Sequence, residues 1–205
     1  FRDRSQAYQI AAPASGDDVT APLVVVLGGT GTLTQASLYT AGCTGPSTPI
    51  VTLTGLGSLG VTTLPEVVTV SLRADGAIFI PYLEGVVQLD ALGVLPPELH
   101  LTPVDLEALL GPTPGEDRVL VAGLDPDGTL VAVVRRSPLM GVDAPTEQFM
   151  IALEDGAARV LGRVPNGALA AGANVSITFD PVLDAMVYGR GDFFTFAPRE
   201  AGSFL

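Results

Sequence analysis

Short apolar runs, separated by turns that carry aspartate and glycine, recur along the chain. Four such runs stand close together and predict strands over Val119–Leu124, Thr129–Arg135, Gln148–Leu153 and Ala157–Val164. Asp127-Gly128 lies between the first two runs and Asp155-Gly156 between the last two. Asp-Gly is a strong hairpin signal because glycine accepts the positive φ of a tight turn. The pattern therefore predicts one four-stranded antiparallel sheet.

Apolar residues occupy consecutive positions in these strands instead of alternating with polar ones. Val131–Val134 and Phe149–Leu153 contain no polar residue. A strand with one face in water alternates, whereas a continuous apolar run indicates burial on both faces. We therefore expect a neighbouring sheet to cover each face of this one.

The same arrangement is repeated before and after this sheet. Asp75-Gly76 lies 52 residues before Asp127-Gly128, and both pairs separate an opening strand from its return. Four strands in a period of roughly 50 residues are typical of β-propeller blades. The predicted units cover about 19–66, 67–118, 119–170 and 171–205. Their other predicted strands are Pro22–Leu27, Gln35–Thr40, Ile50–Thr54, Gly60–Leu64, Val67–Leu72, Ala77–Ile80, Gly85–Leu89, Leu92–Leu95, Val175–Phe179, Ala185–Tyr188 and Phe193–Phe196.

The last unit has one predicted strand fewer than the others, and Ala7–Ile10 predicts a spare strand near the start of the chain. Our hypothesis is that Ala7–Ile10 pairs beside Phe193–Phe196 and closes a ring, so that no sheet edge is left exposed. A single short helix is predicted over Thr102–Gly111. Thr102 is a favourable N-cap, Pro103 suits the first helical position and Gly111 suits the end.

The order of strands and turns over 119–198 resembles bacterial β-propeller repeats found in secreted and surface proteins. The similarity rests on an apolar strand followed by Asp125-Pro-Asp-Gly128 or Phe179-Asp-Pro-Val-Leu-Asp184, then a return strand, and on the turn at Glu154-Asp-Gly156. It implies an all-β fold, a small propeller of four four-stranded blades with one inserted helix, forming a single domain over 1–205. Two alternatives stay open: two tandem β-sandwich domains divided near 111–115, and one half of a larger ring.

Charge and composition narrow the range of partners. The formal net charge is −12 and the sequence contains no lysine, so we expect neither nucleic acid nor anionic membranes to bind. No apolar run is long enough for a transmembrane helix. Hydrophobic residues make up 47% of the chain and charged residues 16%. This composition favours association with itself or with other protein subunits, and the alternative is a thermally robust β-protein whose surface is rich in threonine and serine. The first residue is Phe1, which predicts either a removed leader or a fragment boundary.

Few residues could hold a metal ion. Cys43 is the only cysteine and His100 the only histidine, which excludes an intramolecular disulfide and the usual zinc sites. Calcium is the one cofactor that the sequence leaves open, because carboxylates suit it. Its candidate ligands are Asp125, Asp127, Asp180 and Asp184. The competing interpretation is that each aspartate hydrogen-bonds the backbone of its own turn.

A candidate partner-binding motif lies between two predicted strands near the end of the chain. It is the triplet Arg190-Gly191-Asp192 together with Phe193. Such triplets act in adhesion, although a hairpin also selects Gly-Asp for its turn.

No catalytic or cofactor-binding constellation is predicted. His100 is the only imidazole and has apolar neighbours, which favours a role in the fold. Leu23–Thr32 runs from a strand into glycines, but no helix follows as a dinucleotide site would need. The sequence favours a non-enzymatic structural or protein-binding module of a secreted, periplasmic or cell-surface assembly. The alternative is a hydrolase or lyase that uses carboxylates or a divalent cation at the propeller channel.

Overall fold

The computed structural model describes residues 7–11, 23–28, 35–40, 51–54, 59, 70–73, 75–90, 95–113, 115–140, 145–154, 156–164, 175–190 and 193–198. These residues form four antiparallel sheets and one helix. In each sheet the strands follow one another in space in the same order as in the sequence. The all-β prediction, with one short helix, is confirmed.

The strands have the following bounds. The first sheet contains β1 (Ala7–Ala11), β2 (Leu23–Gly28), β3 (Gln35–Thr40) and β4 (Val51–Thr54). The second sheet contains β5 (Ser71–Leu72), β6 (Ala77–Tyr82), β7 (Gly85–Asp90) and β8 (Glu98–His100). The third sheet contains β9 (Gly115–Leu124), β10 (Leu130–Pro138), β11 (Glu147–Glu154) and β12 (Ala157–Val164). The fourth sheet contains β13 (Val175–Asp180), β14 (Ala185–Arg190) and β15 (Phe193–Pro198).

The third sheet forms where the sequence predicts it, and its two hairpins pair as expected. Leu130 pairs with Leu124 across the first hairpin, and Glu154 pairs with Ala157 across the second. Gly128 has φ of 83° and Gly156 has φ of 78°, which is the left-handed conformation that glycine adopts without strain. The tight hairpin turns predicted from the two Asp-Gly pairs are therefore confirmed.

Two strand predictions were wrong. The hypothesis that Ala7–Ile10 pairs beside Phe193–Phe196 is not met, because β1 pairs with β2, with Ala7 opposite Leu27. Pairing with β2 closes a shorter loop than pairing with the other end of the chain, and short loops cost less entropy. The fourth sheet accordingly has three strands among the described residues.

The fourth strand of the second sheet also lies later than predicted. Leu95, the last residue of the predicted strand, is exposed at a bend, and its N–H donates to Asp90 Oδ2 over 3.0 Å. Among the described residues that follow β7, those that pair with it form β8, which comes after two prolines. Predicted strand Gly60–Leu64 lies outside the described residues, as do 91–94.

Helix α1 (Pro103–Leu110) begins as its sequence predicts. Thr102 Oγ1 accepts from the N–H of Asp105 over 3.2 Å, and Asp105 Oδ2 accepts from the N–H of Thr102 over 2.8 Å. This reciprocal pair is a capping box, which satisfies N–H groups that a helix start leaves free. Leu106 is buried and anchors the helix on the sheets. None of the described helices has the length and apolar character that crossing a bilayer requires.

Strands β10 and β11 of the third sheet are buried on both faces, as their continuous apolar runs predict. One face packs against the second sheet and α1 in a single core that includes Phe79, Leu106, Val134 and Ile151. The opposite face packs against the fourth sheet. Residues of that second core are Val121, Val131, Val133, Met150, Ala152, Leu161, Val164, Met186 and Tyr188.

The first strands of the second, third and fourth sheets lie close together. Strand β9 contacts β5 of the second sheet and β13 of the fourth. A Cβ atom at Gly123 would lie 2.9 Å from Ile177 Cγ2, so the absence of a side chain permits this approach. The second, third and fourth sheets are therefore stacked face to face, with their first strands adjacent.

Candidate functional site

In the second, third and fourth sheets, the turn that follows the first strand lies at the same end of the stack. The Arg73 side chain lies beside Gly128, which brings the turns of the second and third sheets together. Asp125 of the third sheet and Asp184 of the fourth line one cavity. We call this end, formed by residues 75–76, 125–129 and 181–184, the hairpin end.

Asp125 organises the turn at the hairpin end of the third sheet. Its Oδ1 accepts from the N–H groups of Asp127 and Thr129, each over 2.9 Å. The backbone adds hydrogen bonds from Gly128 N to Asp125 O and from Asp125 N to Thr129 O, each over 3.0 Å. Only 6% of Asp125 is exposed, so these donors offset the cost of burying its carboxylate. The expected aspartate turn is present here.

Asp180 organises the corresponding turn of the fourth sheet. Its Oδ1 accepts from the N–H groups of Val182 over 2.8 Å and of Leu183 over 3.2 Å. Asp184 ends this turn with φ of 46°, a left-handed conformation that aspartate tolerates better than most residues.

The turn of the second sheet is held by an ion pair. Arg73 Nη2 lies 2.8 Å from Asp75 Oδ2, and Asp75 Oδ1 accepts from the N–H of Ala77 over 3.0 Å. The hydrogen bond from Arg73 lowers the pKa of Asp75, although partial burial opposes this effect. The guanidinium of Arg73 also lies 5.2 Å from the ring centre of Phe79, in reach of a cation–π contact.

A cavity of about 250 Å³ opens at the hairpin end between the third and fourth sheets. Three of the predicted ligands, Asp125, Asp127 and Asp184, line it, and Asp180 does not. Glu154 and Arg159 also line it, with 3.9 Å between Glu154 Oε2 and Arg159 Nε. Its other lining residues are Thr129, Val131, Ala152, Leu161 and Met186. The cavity thus has an apolar wall and an acidic rim.

The role of Asp125, Asp127, Asp180 and Asp184 as calcium ligands stays a prediction. In the described part of the chain, no three side chains of His, Cys, Asp or Glu come close enough to hold one ion. Calcium takes six to eight oxygen ligands. Carboxylates arranged around a space of this size make a negative potential, which attracts a cationic group of a partner.

The side chain of His100 contacts residues of its own sheet, in agreement with the role in the fold that the sequence favours. Its Nε2 is 3.1 Å from Gln88 Oε1 and 3.7 Å from Glu98 Oε2. It lines a cavity of about 380 Å³ beside α1, where Asp105 is the other ionisable residue and already closes the capping box. None of the residues lining this cavity carries a hydroxyl or a thiol.

The predicted partner motif lies at the other end of the fourth sheet. Arg190 ends β14 and Phe193 begins β15, and these two residues are register partners. Gly191 and Asp192 lie outside the described residues. The role of this triplet stays a prediction.

Sequence reasoning missed two members of the acidic cavity, Glu154 and Arg159. Glu154 entered only as part of a hairpin signal. In an antiparallel four-stranded sheet, the turn after the third strand lies at the same end as the turn after the first. Strand order alone therefore carries a signal that puts Glu154 at the same end of the sheet as Asp125.

Comparison with models of protein families and with curated proteins found no match to this chain.

Proposed function

We propose that this chain is a non-enzymatic structural or protein-binding module with a small propeller-like fold, serving in a surface or extracellular assembly. Face-to-face stacking of the second, third and fourth sheets, with first strands adjacent, supports that fold. The core shared by the second and third sheets joins residues on both sides of 111–115. This continuity disfavours two sandwiches divided there.

The observation that carries the binding proposal is the combination of an acidic cavity and an exposed apolar pair at the hairpin end. Val182 is 90% exposed and Leu183 is 53% exposed, and both immediately precede Asp184 at the cavity. We call the set of Asp127, Asp184, Val182 and Leu183 the binding rim. Apolar side chains next to carboxylates suit a partner segment that carries an aliphatic residue beside an arginine or lysine.

The size of the cavity favours a single side chain over a small-molecule substrate. Pockets for small ligands usually span roughly 300–1,000 Å³. At about 250 Å³, this cavity admits one cationic side chain, whose charge the surrounding carboxylates would balance. Arginine is enriched in protein interfaces for such contacts. A second copy of this chain could supply it, since all ten basic residues are arginine.

A peptide library tests this proposal. Immobilised protein is offered random heptapeptides, and retained peptides are sequenced. We expect enrichment of peptides with arginine or lysine next to an aliphatic residue, and weaker retention at high salt because exposed charges are screened. Light scattering after size-exclusion chromatography, over a range of concentrations, separately measures self-association.

Matched variants test whether the retained peptides contact the binding rim. D127N/D184N removes two charges at the binding rim, and V182S/L183S removes the apolar pair, so each should reduce retention about tenfold or more. E98Q/E116Q removes the same number of charges from exposed positions outside the binding rim and should leave retention unchanged. Retention without basic peptides, or equal loss in all three variants, would refute the proposed surface.

A further inference from the structure

A row of hydrogen-bond donors crosses the third sheet at the end opposite the hairpin end. Arg118, Arg135 and Gln148 are register partners on β9, β10 and β11. Directly opposed residues on neighbouring strands have Cβ atoms about 5 Å apart and share one face of the sheet. We call these three residues the donor row.

The donor row lies on the face that packs against the fourth sheet. Arg135 and Gln148 lie two residues from Val133 and Met150, which belong to the core shared with that sheet. Side chains two positions apart on a strand point to the same face. Tyr188 of β14 confirms this direction, because its hydroxyl donates to Gln148 Oε1 over 3.4 Å.

Two donors of this row are buried without an acceptor. Gln148 is 1% exposed, and its Nε2 has no hydrogen-bond partner among the described residues. The Nε of Arg135 is buried and also lacks a partner there. Unsatisfied buried donors lose their bonds to water with no replacement, so they are uncommon in native proteins.

The donor row also contains a positive charge that has no ion-pair partner among the described residues. Arg118 pairs with Glu116 over 2.8 Å, but Arg135 makes no ion pair within the described ranges. Neighbouring arginines on the opposite face each have an acid, namely Asp117 for Arg136 and Glu147 for Arg163. Like charges directly opposed across a strand pair repel each other. Among the residues that the structure describes, no acid therefore balances the charge of Arg135.

We propose that Arg135 and Gln148 form a binding site for a small oxyanion, either an inorganic anion or a carboxylate. Its oxygens would accept from Arg135 Nε and Gln148 Nε2, and its charge would balance Arg135. Arg135 is only half-buried, so the site is open to solvent at the edge of the interface. This site is separate from the binding rim, and its existence does not depend on the proposed function.

Calorimetric titration and thermal melting test the site with phosphate, acetate and chloride at matched ionic strength. We expect saturable binding of phosphate or acetate at about one site per chain, and a rise in melting temperature that saturates with it. Phosphate also stabilises proteins generally by exclusion from their surface, but that effect does not saturate. Acetate binding with no phosphate binding would identify a carboxylate as the preferred ligand, and the reverse result an inorganic anion.

Three variants decide whether the donor row is responsible. R135Q should weaken the saturable binding at least about tenfold, since hydrogen bonds to a charged donor are the stronger ones. R163Q removes an exposed arginine on the opposite face of the same sheet and should bind as the parent does. Q148E supplies a carboxylate next to Arg135, so it should raise the melting temperature and abolish anion binding even if R135Q does not fold.

Absence of saturable binding by any of the three anions would overturn the proposal. Arg135 and Gln148 would then satisfy each other through a reoriented amide. Equal binding by the parent and a folded R135Q would place the anion elsewhere and would also overturn it.

Discussion

Tyr82 carries a buried hydroxyl that has no hydrogen-bond partner in the described part of the chain. Burial raises the pKa of Tyr82 to about 12, and the nearby charge of Glu84 adds to this effect. Tyr188 has the same side chain in an equally buried position, but its hydroxyl bonds to Gln148. The two tyrosines therefore form a matched pair for measuring what a hydroxyl contributes.

Replacing Tyr82 by phenylalanine should leave stability at pH 7 unchanged or increase it by up to about 1 kcal/mol. The substitution removes an unsatisfied polar group and keeps the ring in the core. Y188F removes a bonded hydroxyl and should cost about 1 kcal/mol. Urea unfolding of the parent and both variants measures the difference. A loss of stability in Y82F as large as that in Y188F would show that the Tyr82 hydroxyl has a partner.

The difference in stability between Y82F and the parent protein should be larger at alkaline pH. The unfolded chain releases the Tyr82 proton near pH 10, whereas the folded protein keeps it up to about pH 12. The folded state thus binds more protons in this window, so stability should fall as pH rises through it, by roughly 2–3 kcal/mol in total. Y82F should lack this part of the slope. Identical slopes in parallel urea titrations at pH 9 and pH 11.5 would contradict the raised pKa.

At the scale of elements, Arg136 connects the helix to the third sheet. Its Nη1 donates to the carbonyl of Leu110 over 3.1 Å and its Nη2 to that of Gly111 over 3.0 Å. The same guanidinium bonds both carboxylate oxygens of Asp117, over 2.8 and 2.7 Å. Hydrogen bonding to Asp117 raises the pKa of Arg136 above its already high value. One side chain thus satisfies the end of α1 and a buried acid.

Replacing Arg136 by methionine should destabilise the protein by about 3 kcal/mol or more. Removing one member of a buried pair leaves the other charge without compensation, and Asp117 has only 4% of its side chain exposed. R118Q breaks the exposed pair with Glu116 and should cost less than about 1 kcal/mol. Denaturant unfolding compares the two. R136M/D117L should recover much of the loss, and failure to do so would assign the effect to the helix carbonyls.

At the scale of the whole molecule, stability should be shared between sheets. The central strands β10 and β11 of the third sheet have no face in water, because one core joins the sheet to the second sheet and another to the fourth. Such a sheet cannot bury its apolar faces alone, as in repeat proteins in general.

Cutting the chain at residue 114 should therefore yield two fragments that do not fold separately. Fragment 115–205 would expose the apolar face that includes Val134, Phe149 and Ile151, and it should aggregate or lack a cooperative transition. Circular dichroism and light scattering of 1–113, of 115–205 and of their mixture measure this. Recovery of a cooperative melt in the mixture would support one shared core, whereas two independently melting fragments would favour tandem sandwiches.

Local features of the fold were readable from the sequence because their causes lie within a few residues. The positive φ of Gly128 and the capping box of Thr102 and Asp105 depend on neighbouring backbone groups. The apolar run at Val131–Val134 predicted burial on both faces, since alternation reports the environment of each side of a strand. The turns, the strands of the third sheet and the helix start were thus fixed by short-range chemistry.

Only the tertiary structure decided which distant segments meet. The pairing of β1 with β2, the position of β8 after two prolines, and the meeting of Asp125 with Asp184 each depend on non-local geometry. Hydrophobic pattern specifies which face of a strand is buried but not which strand lies beside it. That no described residue accepts from Gln148 Nε2 is likewise a property of the packed interface with the fourth sheet, and no residue type in the sequence reports it.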